Sequence, residues 1–264
     1  MDVRPISAPQ SLAYALTAAG ERNGVDFNYL LQTAMRESSL NPQAKAATSS
    51  AVGLFQFLES TWLQVMKEEG PRLGYGEYAQ NIQRTSDGDY IVSDPGIKAD
   101  ILKLREDPQI ASDLAAAFTK ANGDYLTARF GRMPSAGELY IAHFLGAQGA
   151  AKMFTAGLQD ADQIAADLFP KQAAANHAIF YGNGQARTIR EVYQTLVAKH
   201  EVSPDAGFAV QQMAGEPTVV ASAPVVPSRF SPENMSFTGL FKNEVDLDPT
   251  AAGSGGFFAQ LYAQ

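Results

Sequence analysis

From Gln10 to Lys199 the chain reads as one helix after another, and strand signals are nearly absent. Apolar residues recur at three and four in segments such as 11–24 (SLAYALTAAGERNG), 27–39 (FNYLLQTAMRESS), 59–70 (ESTWLQVMKEEG) and 188–200 (TIREVYQTLVAKH), the spacing that gives a helix one core-facing stripe. Gly, Pro and Asn separate these segments and those at 96–106, 107–123, 124–131, 135–146, 147–157, 160–169 and 170–180. An all-α fold is therefore expected. Ser135 with Glu138 has the spacing of a capping box, and Pro170 suits a first helical turn, where its missing N–H does no harm.

Two stretches depart from this pattern. Residues 70–96 are rich in Gly, Asp and Ser with three tyrosines, which predicts an ordered loop with a short hairpin at its SDGDY turn. That turn lacks the ligand spacing of a calcium loop. Residues 201–264 hold seven acidic residues against two basic ones and six of the fourteen prolines. They read as a disordered tail with short aromatic pegs, as in GGFFAQLYAQ, suited to a protein partner.

Charge and composition exclude several functions. The net charge is −8, which argues against a surface built to neutralise nucleic-acid phosphates. There is no cysteine and there are three histidines, His143, His177 and His200, too scattered for a zinc site. No metal or other cofactor is expected. No run approaches about 18 apolar residues, so no transmembrane segment is expected, and the start lacks the pattern of a secretory signal.

One carboxylate stands out. In segment 27–39, Phe27, Leu30, Leu31, Ala34 and Met35 form the apolar stripe, and Glu37 projects from its edge in the last turn. Partial burial and the negative end of the helix both disfavour its anion, so its pKa is expected to be raised. A carboxyl protonated near neutral pH can act as a general acid on a glycosidic oxygen, while the bland alternative is a polar residue at the end of a stripe. Asn41-Pro42 then stops the helix, small residues turn the chain, and Gly53 permits close backbone approach.

The stretch ESSLNPQAKAATSSAVGLFQF, Glu37 to Phe57, resembles the first motif of the soluble lytic transglycosylases, the SLT domain of glycoside hydrolase family 23, whose fold resembles goose-type lysozyme. The segment LYIAHFLGAQGAAKMF, Leu139 to Phe154, is similar to the family's Ala-Tyr-Asn-Ala-Gly segment, and DPQIASDLAAAF is a looser likeness to its middle motif. The likeness covers roughly residues 10–155, and ADLFPKQAAANHAIFY resembles an extension of proteobacterial members. It implies a lysozyme-like catalytic domain over 1–155, a helical extension packed on it over 156–200, and the tail beyond.

The resemblance also implies a mechanism with one catalytic carboxyl, Glu37, and no metal. Glu37 would protonate the oxygen between N-acetylmuramic acid and N-acetylglucosamine and then draw the C6 hydroxyl proton, leaving a 1,6-anhydro sugar. Gln56 with Ser49 or Ser50 would bind acetamido and hydroxyl groups, and Phe55 and Tyr140 would offer flat surface to a sugar. The departures from the family pattern are specific. His143-Phe144 stand where Tyr-Asn is usual, so either His143 or Tyr140 takes the tyrosine's place; Phe55 replaces a Met. The loop from Glu37 to Gly53 is one residue longer than usual, which leaves Thr48, Ser49 and Ser50 as alternatives for the family serine. Gln56 reads equally as a bond to loop carbonyls, His143 as a core histidine, Phe57 and Trp62 as core, and Asp107 as a helix cap.

The function implied is cleavage of peptidoglycan glycan strands by a periplasmic or exported protein, with local wall opening for a secretion or flagellar apparatus as its setting. A hydrolytic muramidase on the same fold, or a non-catalytic assembly module acting through the tail, are the alternatives.

Overall fold

A computed structural model describes residues 8–47 and 49–198. The fold is all-α, with two compact units that divide within one helix, between Lys120 and Ala121. Residues 201–264, with the expected disordered tail, and Thr48 and His200 lie outside the described residues.

The first unit begins with α1 (Ala8–Asn23) and α2 (Phe27–Ser38). Asp26 caps α2 by accepting a hydrogen bond from the Tyr29 amide, and Ser39 ends it in a left-handed conformation, φ 53°. After a loop comes α3 (Glu59–Leu73), which continues through Pro71 to the left-handed Gly74. The expected hairpin is present: β1 (Gln83–Arg84) pairs antiparallel with β2 (Tyr90–Ile91), following the short α4 (Gly76–Ala79). α5 (Pro95–Lys103), capped by Asp94, runs into a 3-10 turn at Leu104–Glu106. Leu16, Leu30, Ala34, Leu54, Trp62, Met66 and Ile101 fill the core. Trp62 donates its indole N–H to the Ile101 carbonyl at 2.8 Å, so its one polar atom is satisfied inside.

The helices expected at 107–123 and 124–131 are a single helix, α6 (Pro108–Phe130). Asn122-Gly123 does not break it, because Gly123 sits where an added Cβ would lie 3.4 Å from Leu139 and its backbone keeps the helical bond pattern. Asp107 caps α6, its carboxylate accepting from the Gln109 and Ile110 amides.

In the second unit, the segments read as separate helices at 135–146 and 147–157 follow one another as α7 (Ala136–Gln159), interrupted by Gly146 at φ 74°, ψ 160°. α7 passes through position 155 without a break, so the division expected there falls inside an element. Its start has the expected capping box of Ser135 and Glu138. Glu138 is fully buried, paired with Arg132 by two hydrogen bonds and accepting two more, from the Ser135 amide at 2.7 Å and the Tyr193 hydroxyl at 3.1 Å. Tyr193 belongs to α11 (Ile189–Ala198), so a buried carboxylate ties the last helix to α7. Between them lie α8 (Ala165–Leu168), α9 (Pro170–Ala175) with Pro170 in its first turn, and α10 (His177–Phe180). A hairpin of β3 (Tyr181–Gly182) and β4 (Gln185–Ala186) turns at Asn183-Gly184, both with positive φ.

Candidate active site

The C-terminal turn of α2 carries Glu37, 3% exposed, as the penultimate residue of the helix. A carboxylic acid is among the groups least often found at that depth. Glu37 and Arg36 both act on the phenol of Tyr29, which burial pushes well above the ordinary tyrosine range; hydrogen bonds with Thr119 and Thr33 and the charge of Arg36 pull the other way. The end of the helix is held in place by the next residue. Ser38 Oγ bonds the Ala34 carbonyl at 3.0 Å and the Leu54 carbonyl at 2.9 Å, tying the turn that bears Glu37 to the Gly-Leu-Phe-Gln stretch.

That stretch belongs to a compact loop. Asn41 starts it by accepting from the Gln43 amide, and isolated bridges pair Lys45 with Val52 and Val52 with Phe57. Gly53 donates its N–H to the Ala44 carbonyl at 2.8 Å and has φ 86°. An added Cβ at Gly53 would lie 2.0 Å from the Arg105 carbonyl oxygen, so the backbone passes where only glycine fits.

Gln56 is buried at φ 48°, an uncommon conformation for a residue with a side chain. Its Nε2 donates to the Gly53 carbonyl at 2.8 Å and the Ala44 carbonyl at 3.2 Å. Of its two readings, the amide nitrogen takes the bond to loop carbonyls. Ser49 Oγ accepts from the Ala51 amide, and Ser50 Oγ, exposed, accepts from the Glu59 amide at the start of α3; both bonds are 3.3 Å. Each hydroxyl keeps its own proton for a further acceptor.

Phe55 is 1% exposed, with its ring edge-on to Phe57 at 6.5 Å; Phe57 in turn meets Trp62 edge-on at 5.2 Å. Phe55 therefore shows no ring face to solvent, unlike the sugar platform expected of it, because the loop folds its aromatic residues inward. Tyr140 is likewise buried, at 0% exposure. It lies on α7 in the second unit with the half-buried His143, the two rings stacked at 6.3 Å. The first unit thus holds Glu37, Ser49, Ser50, Phe55 and Gln56, while Tyr140 and His143 sit on a helix of the second unit.

One participant has no signal in the sequence. Arg105, in the 3-10 turn after α5, is 8% exposed, and its Nη1 donates to the Ser50 carbonyl at 2.6 Å and the Phe57 carbonyl at 3.0 Å. Its Nε donates to the Leu102 carbonyl at 2.9 Å. Burial lowers the pKa of this guanidinium, and the charges of Glu59 and Glu106 oppose that shift. No local motif marks an arginine some fifty positions from the loop it holds. Among the described residues, no group of three or more His, Asp or Glu is placed to hold a metal ion, and no helix is long and apolar enough to cross a membrane.

The all-α fold carries a buried acid at a helix end, on a turn bonded to a Ser- and Gly-containing loop. Residues 15–83 match the family described as the transglycosylase SLT domain. The match runs from α1 to β1 and takes in Glu37, Ser49, Ser50, Phe55 and Gln56; it ends before α7 with Tyr140 and His143.

Proposed function

We propose that this chain is a peptidoglycan lytic transglycosylase with Glu37 as its acid and base. The observation that carries the reading is the burial of Glu37 at the C-terminal end of α2, on a turn fastened through Ser38 to the Leu54 carbonyl. Withdrawal from water and the negative end of a helix both favour the protonated form of a carboxyl, the form a general acid needs.

Glu37 donates that proton to the oxygen between N-acetylmuramic acid and N-acetylglucosamine as the bond to the anomeric carbon breaks. The muramoyl acetamido oxygen supports the developing positive charge. The Glu37 carboxylate then takes the proton of the C6 hydroxyl, whose oxygen closes on the anomeric carbon. One glycosidic bond breaks, one intramolecular ether bond forms, and the acid is regenerated with no water consumed. Ser49 and Ser50, each with a hydroxyl proton to give, contact the acetamido and hydroxyl groups. Gln56, its nitrogen fixed to two carbonyls, sets the shape of the loop. A wall substrate places the working protein in the periplasm or outside the cell, with local wall opening for an export apparatus as the natural setting.

Glu37→Gln tests the assignment. Lysis of purified sacculi is expected to fall by at least about a hundredfold, the usual contribution of a general acid, with the melting temperature close to that of the parent. Undiminished lysis would remove Glu37 from the mechanism. Mass spectrometry of the parent's products then decides the chemistry, since 1,6-anhydro ends mark the transglycosylase and reducing ends mark a hydrolytic muramidase.

A further inference from the structure

The second unit contains a cavity of about 580 Å³ whose lining residues all lie between Tyr125 and Leu168, outside the SLT match. The end of α6 and the part of α7 after Gly146 form its walls. Ala151 and Ala156 leave the room on the α7 side, because their side chains are short. Around them stand Arg129, Lys152, Gln148, Gln159 and Gln163, with the exposed ring of Tyr125 at one edge. Among the described residues, no carboxylate lines the cavity.

Charge is distributed to match. Residues 121–200 hold seven basic and six acidic side chains, a net +1 in a chain of −8. Two of those cations face this one cavity. Arg129 makes no hydrogen bond or ion pair among the described residues, so its five donors are available. Lys152 donates to the Leu168 carbonyl at 3.0 Å and lies 5.3 Å above the Phe169 ring, which fixes its ammonium at the cavity wall with further N–H groups to give. Amides that can bind neighbouring hydroxyls, two cations for carboxylates and one flat ring make a surface for a hydroxyl-rich chain that carries carboxylates.

We propose that this cavity is a second, non-catalytic binding site for a carboxylate-bearing glycan. Taken with the wall-cleaving function proposed above, on which this identification of the ligand rests, it holds peptidoglycan through the carboxylates on its peptide stems. A second point of attachment keeps the enzyme on an insoluble substrate between cleavages by raising its local concentration.

The test uses the full chain carrying Glu37→Gln, so that nothing is digested, and measures co-sedimentation with sacculi. Adding Arg129→Gln and Lys152→Gln is expected to weaken binding about tenfold, the loss of about one charge-assisted bond. Arg129→Gln alone, which breaks no hydrogen bond or ion pair among the described residues, is expected to account for a clear share of that loss. Sacculi whose carboxyls are blocked as amides should bind the unaltered cavity as weakly as native sacculi bind the double variant. Soluble alginate, a uronic-acid chain, separates the two sources of the carboxylates: failure to compete assigns the stem peptides, and full competition with weak sacculus binding assigns a uronate polysaccharide. Equal binding by parent and variants to native and blocked sacculi alike would overturn the site. Because binding is scored without turnover, absence of anhydro products from the parent would defeat the proposed function and leave this result standing.

Discussion

At Gly53 the Ser- and Gly-containing loop passes against the backbone of Arg105. Two independent constraints meet there: a φ of 86°, and a carbonyl oxygen 2.0 Å from where a side chain would begin. Replacing Gly53 with Ala is expected to cost more than about 3 kcal/mol, since backbone strain and displacement of Arg105 add. Urea unfolding would measure it, and a change below about 1 kcal/mol would show that the loop simply shifts. The glycine and the acid were both legible from the sequence, one as a residue of close approach and the other as a polar group on an apolar stripe. The inward turn of Phe55 was not, because an aromatic residue in a loop reads the same whether its ring meets core or ligand.

At the scale of elements, the loop is less a connection than a part held from outside. Its ends are fastened by Ser38 on α2 and by Arg105 beyond α5. Arg105→Met keeps an unbranched stem and removes three hydrogen bonds, taking from the Ser50 carbonyl its Arg105 partner, while the Phe57 and Leu102 carbonyls keep the Val52 and Leu104 amides. A loss of about 2 kcal/mol is expected, the order of about 1.5–3 kcal/mol for hydrogen bonds from a charged donor. Lysis should fall with it although Glu37 is intact, and Arg105→Lys should restore part of both. If Arg105→Met unfolds at the same denaturant concentration as the parent, the bonds contribute nothing net. The helices were readable from apolar spacing, and the Ser135–Glu138 cap was readable as a motif. Asn122-Gly123 misled as a break in α6, while Asn183-Gly184 does form a hairpin turn that the helical pattern around it concealed.

For the molecule as a whole, buried phenols set a limit at alkaline pH. Burial, with Asp113 as a further cause, pushes the Tyr75 phenol above its ordinary value, as burial does for Tyr29. Their folded-state pKa values exceed the unfolded value of about 10, so the stability they permit is complete below that pH. Above it, the unfolded chain releases these protons while the folded chain retains them, and stability falls by up to about 1.4 kcal/mol per pH unit for the buried Tyr29 and by less for the partly exposed Tyr75, which water screens. Tyr29→Phe removes one such group, and its melting temperature is expected to decline less steeply than the parent's above pH ~10; parallel declines would show that Tyr29 does not contribute. What the sequence by itself determined was the all-helical fold and the place of Glu37 at the edge of an apolar stripe, because spacing along a helix is a local matter. Only the tertiary structure decided that Arg105 closes the loop, that Phe55 and Tyr140 are buried, and that Arg129 and Lys152 share one cavity. Each of those facts depends on which distant segments meet, and hydrogen bonds, exclusion from water and shared space are set by contact, whatever the separation along the chain.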